Sequence, residues 1–392
     1  MNNVPIGWSF KRVQDMGRVI TGSTPPMSDK DNYGNEFCWA TAQDFKSKYI
    51  DDTVVKLSSK GKTLSRVLPA GSVLVTCIAS IGLNAIAKTE MATNQQINAI
   101  IPNDDFCSDF LYYLFCYNTD KLKQYAGSGG ILILSKGEFE KIRFMLPPIK
   151  EQEKIAEVLG TWDRAIEELT GLIAEKKELK RGLMQRLLTG TQRLPGFTKP
   201  WKKIKLSDVL EECTETTTIN NQYDILTSSR RGIFKQEDYF DKQVASQDNI
   251  GYKIIHNGDF TYRAMTDDDK FCFNQLTDLE IGIVSPAYAV FQTKKIPGNI
   301  LKFILNSGRF GYELLKEAQG GTRKSLKYNS LIKLQIYVPD DEKEMDKLSD
   351  CLFVADSEID LLNQQLDLLK EQKHGLMQKL LTGEIRVKVD ME

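Results

Sequence analysis

Between residues 155 and 173 the apolar side chains fall at Ile155, Leu159, Trp162, Ile166, Leu169 and Ile173. These alternating steps of four and three are the heptad spacing of a coiled-coil seam, and they predict a helix that buries one narrow stripe against a partner. Positions 193 residues further on carry Leu348, Leu352, Ala355, Ile359, Leu362 and Leu366, and the series runs on through Leu369, Leu376 and Leu380. Two long helices with the same seam are therefore expected. The first follows Leu-Pro-Pro-Ile at 146–149, where proline suits a first helical turn. At 1.5 Å per residue, a helix from about Glu151 to Leu188 is roughly 57 Å long. Each helix closes on Leu-Leu-Thr-Gly, placing Gly190 and Gly383 where a left-handed residue ends a helix. The seam is not wholly apolar: Lys180 and Lys373 hold seats where a coil prefers leucine, and Lys176 faces the same stripe.

Ahead of each helix lies a region with a different rhythm. Short β-branched and aromatic runs, SVLVTCIA at 72–79, INAIIP at 97–102 and AYAVFQ at 287–292, read as strands. Helical patterns are mixed among them, notably SDFLYYLFCYN at 108–118 and its counterpart NILKFILNSGRFGYELLKEA at 299–318. Each region is thus a mixed α/β (α+β) globule. Glycine-rich loops follow those helices, AGSGGILILSK at 126–136 and AQGGTRKSLKYNS at 318–330.

The chain is a tandem duplication. GLMQRLLTG at 182–190 and GLMQKLLTG at 375–383 differ at one position, and Trp8 and Trp201 stand the same 193 residues apart. Two repeats this large read as two similar domains with their own cores, and predict a pseudo-twofold molecule.

Composition adds mainly exclusions. The seven cysteines (38, 77, 107, 116, 213, 272 and 351) form no CxxC pair, and with only His256 and His374 beside them no zinc ligand set assembles by spacing. They read as reduced, buried thiols. The start lacks a signal-peptide layout, and the most apolar stretch, 71–87, is interrupted by Thr76, Ser80 and Asn84. A cytoplasmic protein without a membrane segment is expected. The net charge of −1 neither argues for nucleic acid nor excludes it, because binding needs a local basic face. SKGKTL at 59–64 contains the GKT of a phosphate loop, but Lys56 stands where its first glycine belongs. No GxGxxG, HExxH, GxSxG or NPP[YF] occurs, and no catalytic or metal-binding residue is assigned.

The loops carry the better candidates. Gly127, Gly129, Gly130, Gly320 and Gly321 permit close backbone approach, and Arg323, Lys324 and Lys327 can neutralise phosphates. Arg230, Arg231 and Arg263 supply forked donors for guanine edges, and Asn94, Gln95 and Gln96 amides for adenine. Ser128 and Lys136 lie in the first glycine-rich loop and complete the candidate DNA-binding set.

Four segments together carry a resemblance: GWSFKRVQDMGRVITGSTP at the start, LPPIKEQEKIAEVLGTWDRAIEEL entering the first helix, GLMQRLLTG ending it, and LPGFTKPWKKIKLSDVL opening the second half. Over essentially its full length the chain resembles the specificity subunits of type I restriction-modification systems. The resemblance implies a recognition domain at 1–147, a spacer helix at 148–190, a second recognition domain at 191–338, a second spacer helix at 339–384 and a tail at 385–392. It implies that the helices pair as an antiparallel coiled coil that spaces the domains, each domain reading one half of a split, asymmetric DNA target. The chain itself then catalyses nothing and binds no cofactor. Its partners would be double-stranded DNA, two methyltransferase subunits holding S-adenosylmethionine, and, in the full complex, restriction subunits using ATP and Mg. VPDDEKEMDKL at 338–348 departs from the LPPxxEQxxI pattern of the first helix. A stand-alone enzyme and a coiled-coil adaptor without DNA binding are the alternative classes. Nucleotide consumption or DNA cleavage by the purified chain marks the first, and failure to bind random duplex marks the second.

Overall fold

The computed structural model describes residues 4–127, 131–239, 248–320 and 323–389. The two heptad series are two long helices, Ile149–Leu187 and Glu342–Leu381. A helix with so narrow an apolar stripe is held by burying the stripe rather than by intrinsic propensity. The chain divides into two compact units, Met1–Thr170 with Gln365–Glu392, and Gly171–Gln364. The division cuts both long helices, whereas the sequence boundaries at 147, 190, 338 and 384 fall near element ends. The reason is length: a helix of 39 residues spans roughly 58 Å, more than one globule covers, so its two halves are buried in different units. Among the described residues no helix is long and apolar enough to cross a membrane.

In the first unit one five-stranded sheet runs Gly17–Thr21, Ile97–Pro102, Val73–Thr76, Asn84–Ala87 and Tyr49–Ile50. Its pairs are antiparallel except the last. A second runs Tyr33–Gly34, Lys56–Leu57, Phe37–Ala40, Met91–Thr93 and Val67–Leu68. The expected strands of SVLVTCIA and INAIIP are central in the first sheet. Val73–Thr76 and Ile97–Ile100 are buried throughout, which is why they read as unbroken apolar runs rather than alternating ones. SDFLYYLFCYN is the helix Ser108–Tyr117, and its Phe110, Leu111 and Phe115 pack in one cluster with Trp8, Ile155, Leu159, Met377 and Leu380.

The second unit holds a four-stranded antiparallel sheet, Leu210–Glu212, Tyr288–Thr293, Phe260–Arg263 and Asn274–Gln275. Short two-stranded pairs flank it. The run at 299–318 is two helices, Gly298–Leu305 and Gly308–Glu317. The break lies at Asn306, whose Nδ2 returns to the Lys302 carbonyl at 2.8 Å, and at Ser307, whose hydroxyl caps the next helix by accepting from the Phe310 amide at 3.3 Å. Phe260, Phe291, Ile300, Leu301 and Phe310 form its core with Leu187, Leu348 and Leu352 of the long helices.

One frame recurs in both units. Ser9–Arg12 pairs antiparallel with Arg143–Leu146, and Lys202–Lys205 with Gln335–Val338. Gly190 and Gly383 have φ of +71° and +74°, the expected left-handed ends. A side chain at Gly383 would also come within 2.7 Å of Pro5 and 3.4 Å of the Trp8 ring, and one at Gly190 within 3.4 Å of the Trp201 ring.

Candidate nucleic-acid interface

Four of the predicted cations meet at one loop cluster of the second unit. The hairpin Leu226–Ser229/Gly232–Lys235 turns through Arg230 and Arg231, both exposed, and Asn274 pins it to the sheet by donating to Ser228 Oγ at 2.8 Å and the Ser229 carbonyl at 2.7 Å. Arg231 lies over the rings of Tyr239 and Phe234, at 5.1 and 5.7 Å. Hydrogen bonds with Ser229 and then Arg231 hold the Tyr239 hydroxyl below its usual range. Met265–Thr266 pairs with Lys324–Ser325, which brings the loop after Ala318 beside the acidic segment 267–269. There Arg323 Nε meets Asp267 at 2.6 Å and Arg230 pairs with Asp268, itself accepting from Thr266 Oγ1 at 2.6 Å. Lys324 Nζ donates to the Gly320 carbonyl at 3.1 Å. Exposed pairs like these are worth about 0–1 kcal/mol, so the guanidiniums are oriented yet remain free to exchange a carboxylate for a phosphate. Arg263, exposed, ends the neighbouring strand, and Lys327 caps the short helix Tyr328–Leu331 at the loop's exit.

The first-unit candidates are less alike. Gln95 is exposed and accepts from Thr24 Oγ1. Asn94 is 9% exposed, and both ends of its amide close its own turn: Oδ1 accepts from the Gln96 amide at 3.0 Å and Nδ2 donates to Gln96 Oε1 at 3.2 Å. Its side chain faces inward, not toward a ligand, because the tight approach of Gly22 to the Asn94 carbonyl holds the turn against the sheet. Gln96 is half-buried and fixed by its carbonyl, which accepts from the Cys77 amide at 2.7 Å. Lys136 is exposed on a short helix and pairs with Glu140 at 3.5 Å. Ser128, Gly129, Gly130 and Gly321 lie outside the described residues. The GKT of SKGKTL sits in the short helix Ser59–Thr63, with Gly61 against the Asn32 carbonyl.

Beneath the loops, each unit clasps its long-helix segments in the same way. The seam residues Ile155, Leu159, Leu169 and Leu366 are buried in the first unit, and Ile173, Leu348, Leu352 and Ile359 in the second, while Trp162, Ile166, Leu362 and Leu369 are half-buried. The lysines in the seam are matched by acids. In the first unit Lys373 pairs with Asp163 and lies 5.4 Å over the Tyr113 ring; in the second Lys180 pairs with Asp356 and lies 5.6 Å over the Phe303 ring. Lys176 meets Glu358 at 2.6 Å. Tyr113 donates to Asp163 at 2.5 Å, and burial followed by that carboxylate raises its hydroxyl above the usual range. The segments run antiparallel, since Glu151 is near Arg386 and Asp163 near Lys373.

The helix starts carry a second matched set. Glu151, 2% exposed, accepts from Trp8 Nε1 at 3.2 Å and takes a forked pair from Arg386 at 2.5 and 2.7 Å. Glu344, 0% exposed, accepts from Trp201 at 3.4 Å and is forked by Arg193 at 2.6 and 2.7 Å. Arg386 also donates to the Ile6 carbonyl at 2.9 Å and Arg193 to that of Lys199 at 2.8 Å. Every member of these sets has its counterpart 193 residues away. Residues 385–389 are thus no loose tail, and the departure at 338–348 keeps the one residue the joint requires, Glu344. The acids and arginines escaped a reading focused on apolar seats; testing each charged position for its counterpart at that offset finds them.

Residues 5–179 match the family described as Type I restriction modification DNA specificity domain. The specificity subunit of the type I restriction enzyme MjaIX of Methanocaldococcus jannaschii is 34% identical over 175 residues, 43% of this chain and 40% of that protein. That of HindI from Haemophilus influenzae is 34% identical over 200 residues, 48% and 42% of the two chains. The chain thus spans about two fifths of the length of these two relatives. Against the MjaVIII specificity subunit of M. jannaschii the match extends over 422 residues at 24% identity, covering 98% and 94%. Among solved structures, the S subunit of a type I restriction-modification system from M. genitalium has a TM-score of 0.56 at 12% identity, over 97% of both chains. A chain from a structure on complex assembly and conformational transition of the type I R-M system reaches 0.63 at 16% identity, over 98% and 100%. Both likenesses are of fold.

Proposed function

From the match of residues 5–179 to the Type I restriction modification DNA specificity domain, we propose that the chain belongs to the family of type I restriction-modification specificity subunits and is the non-catalytic, DNA-reading subunit of such a complex. Each unit reads one half of a bipartite, asymmetric duplex target, and the paired helices set the separation and dock two methyltransferase subunits. Those subunits bring S-adenosylmethionine and methylate adenine; restriction subunits bring ATP and Mg; the complex works in the cytoplasm. The observation that carries this reading is the convergence of Arg230, Arg231, Arg323 and Lys324 on adjoining loops of a unit whose underlying frame is repeated. Of the first-unit positions, Gln95 and Lys136 fit a DNA-facing role and Asn94 is withdrawn.

A gel shift on random duplex across a salt series tests the reading. Binding should weaken steeply with salt, as phosphate neutralisation requires, and a chain indifferent to duplex would be the adaptor instead. Arg323→Ala should weaken recognition of the second half-site by about 1–3 kcal/mol if the guanidinium meets a base edge. If it meets phosphate, the loss will be uniform over sequences and the salt slope shallower.

Exchanging residues 1–146 for those of a relative should change one half-site only, read by mapping methylated adenines after co-expression with the methyltransferase. A change in both half-sites would contradict independent reading.

A further inference from the structure

Each unit has a cleft between its two-stranded ribbon, the Leu-Leu end of a long helix and the helix that follows an asparagine cap. The clefts hold about 690 Å³ in the first unit and about 400 Å³ in the second. They are built on the same plan. Leu381 and Leu188 line them from positions 193 apart, and Lys121 and Arg309 each stand three residues after an asparagine, Asn118 or Asn306, that returns its Nδ2 to the carbonyl four residues back at 2.8 Å. Across the ribbon, Phe10 faces Met145 in one and Lys203 faces Tyr337 in the other.

Their chemistry is not the same. The first cleft is walled by Val4, Pro5, Phe10 and Met145, and its lysine, Lys121, is occupied, donating to the Arg143 carbonyl at 2.6 Å over the Phe144 ring. The second is lined by Lys203, Arg309 and Lys333, all exposed, and among the described residues none of the three has a carboxylate in ion-pair range. Glu313, the one acid on its wall, is engaged by Lys316 at 3.0 Å. Arg309 and Lys203 are held over the Tyr337 ring, at 4.7 and 5.7 Å. Between the cations the floor is made by the buried Leu188, Ile304, Phe310 and Ile336 and the half-buried Leu334, and the Tyr337 ring, 38% exposed, is the apolar surface left open. Because the same cleft in the first unit does without the charges, the frame does not require them.

We infer that the second-unit cleft docks an acidic, amphipathic peptide segment of a protein partner. Its carboxylates sit on Lys203, Arg309 and Lys333, and one large apolar side chain sits on the exposed Tyr337 ring beside Leu334. Charge complementarity selects the class: three cations without counter-charges favour an anionic partner and disfavour a neutral one. The open ring decides between anions, since a duplex DNA backbone offers phosphates but nothing to cover the exposed Tyr337 ring, whereas a peptide supplies both. The position agrees, for the cleft lies at the start of the helix Gly308–Glu317, whose far end, roughly 15 Å away, leads into the Arg323 loop. This site is additional to DNA reading and does not depend on it.

The test is fluorescence anisotropy on the full-length chain with a labelled peptide, Glu-Glu-Leu-Glu-Phe-Glu-Glu. It should bind, and a version with serine for leucine and phenylalanine should bind about tenfold more weakly. Lys203→Glu with Arg309→Glu and Lys333→Glu should lower affinity for the first peptide by more than about tenfold, while the exposed, off-cleft Lys295→Glu leaves it unchanged. The triple glutamine variant, milder toward folding, should give an intermediate loss at an unaltered melting temperature. Equal affinity of the wild type and both triple variants overturns the proposal, as does equal binding of the serine peptide. Displacement of the peptide by random duplex DNA, with duplex affinity lost in step, would reassign the cleft to DNA and overturn it as well.

Discussion

Arg193→Ala will destabilise the second unit by about 3–5 kcal/mol, because it strands the Glu344 carboxylate, 0% exposed, with a single long hydrogen bond from Trp201. Breaking a buried pair costs far more than the pair contributes, since the remaining charge has lost both water and partner. Arg386→Ala should do the same to the first unit through Glu151. Native-state hydrogen exchange will separate the two: protection should fall within Gly171–Gln364 for the first variant and within Met1–Thr170 for the second. Replacing both Arg193 and Glu344 by methionine should recover most of the loss. Lys202→Ala, which removes only the exposed pair with Asp340, should be nearly silent. If Arg193→Ala melts like the wild type, the joint does not hold the unit.

A fragment of residues 1–195 should form a homodimer whose DNA target is an inverted repeat of the first half-site. From the apolar seats alone, Lys176 and Lys180 look like obstacles to pairing two copies of the first helix. The structure reverses that expectation for Lys180 but not for Lys176. Lys180 pairs with Asp356 and Lys373 with Asp163, so in a dimer of fragments Lys180 of each copy meets Asp163 of the other, with Tyr113 taking the place of Phe303. Arg193 likewise takes the place of Arg386 against Glu151 and Trp8 of its mate. Only Lys176 loses its acid, since Ala165 stands where the full chain has Glu358. The interface is isologous, and twofold protein symmetry demands a twofold target. Light scattering gives the mass, and methylation mapping with the methyltransferase gives the site. A shorter fragment ending at residue 188 lacks Arg193 and should dimerise more weakly; equal dimerisation of the two, or a non-palindromic site, counts against the model.

What could be read from residues alone follows how local each determinant is. The long helices were legible because their period is repeated over six apolar seats in the first and nine in the second, and Gly190 and Gly383 because a left-handed helix end needs glycine. The strand Ile97–Pro102 was legible to the residue, being a buried run bounded by polar turns. Pairs such as Tyr49–Ile50 with Asn84–Ala87 were not: two-residue strands have no period, and their partners are fixed by distant contacts. The split of the run at 299–318 was written in Asn306 and Ser307, but a single apolar periodicity masked it. Among the loop candidates, charge type was legible and orientation was not. Nothing in Asn-Gln-Gln says that Asn94 closes its own turn while Gln95 faces out. The seam lysines could be seen but not their Asp partners, because each pair joins residues far apart in the chain.

The two-stranded ribbons have a consequence for inheritance. Arg12 lies across from Arg143, and Lys205 across from Gln335, so everything between enters and leaves its unit through one strand pair. The joint made by Trp8, Glu151 and Arg386 lies outside that pair, as does the one made by Trp201, Glu344 and Arg193. Two genetic crossovers within the few codons of a ribbon would therefore transplant an entire globule while every contact of the joint is rebuilt from the recipient's own residues. Recombination of that kind erases similarity inside the ribbons and spares it outside, which is the distribution of identity between the two halves of this chain.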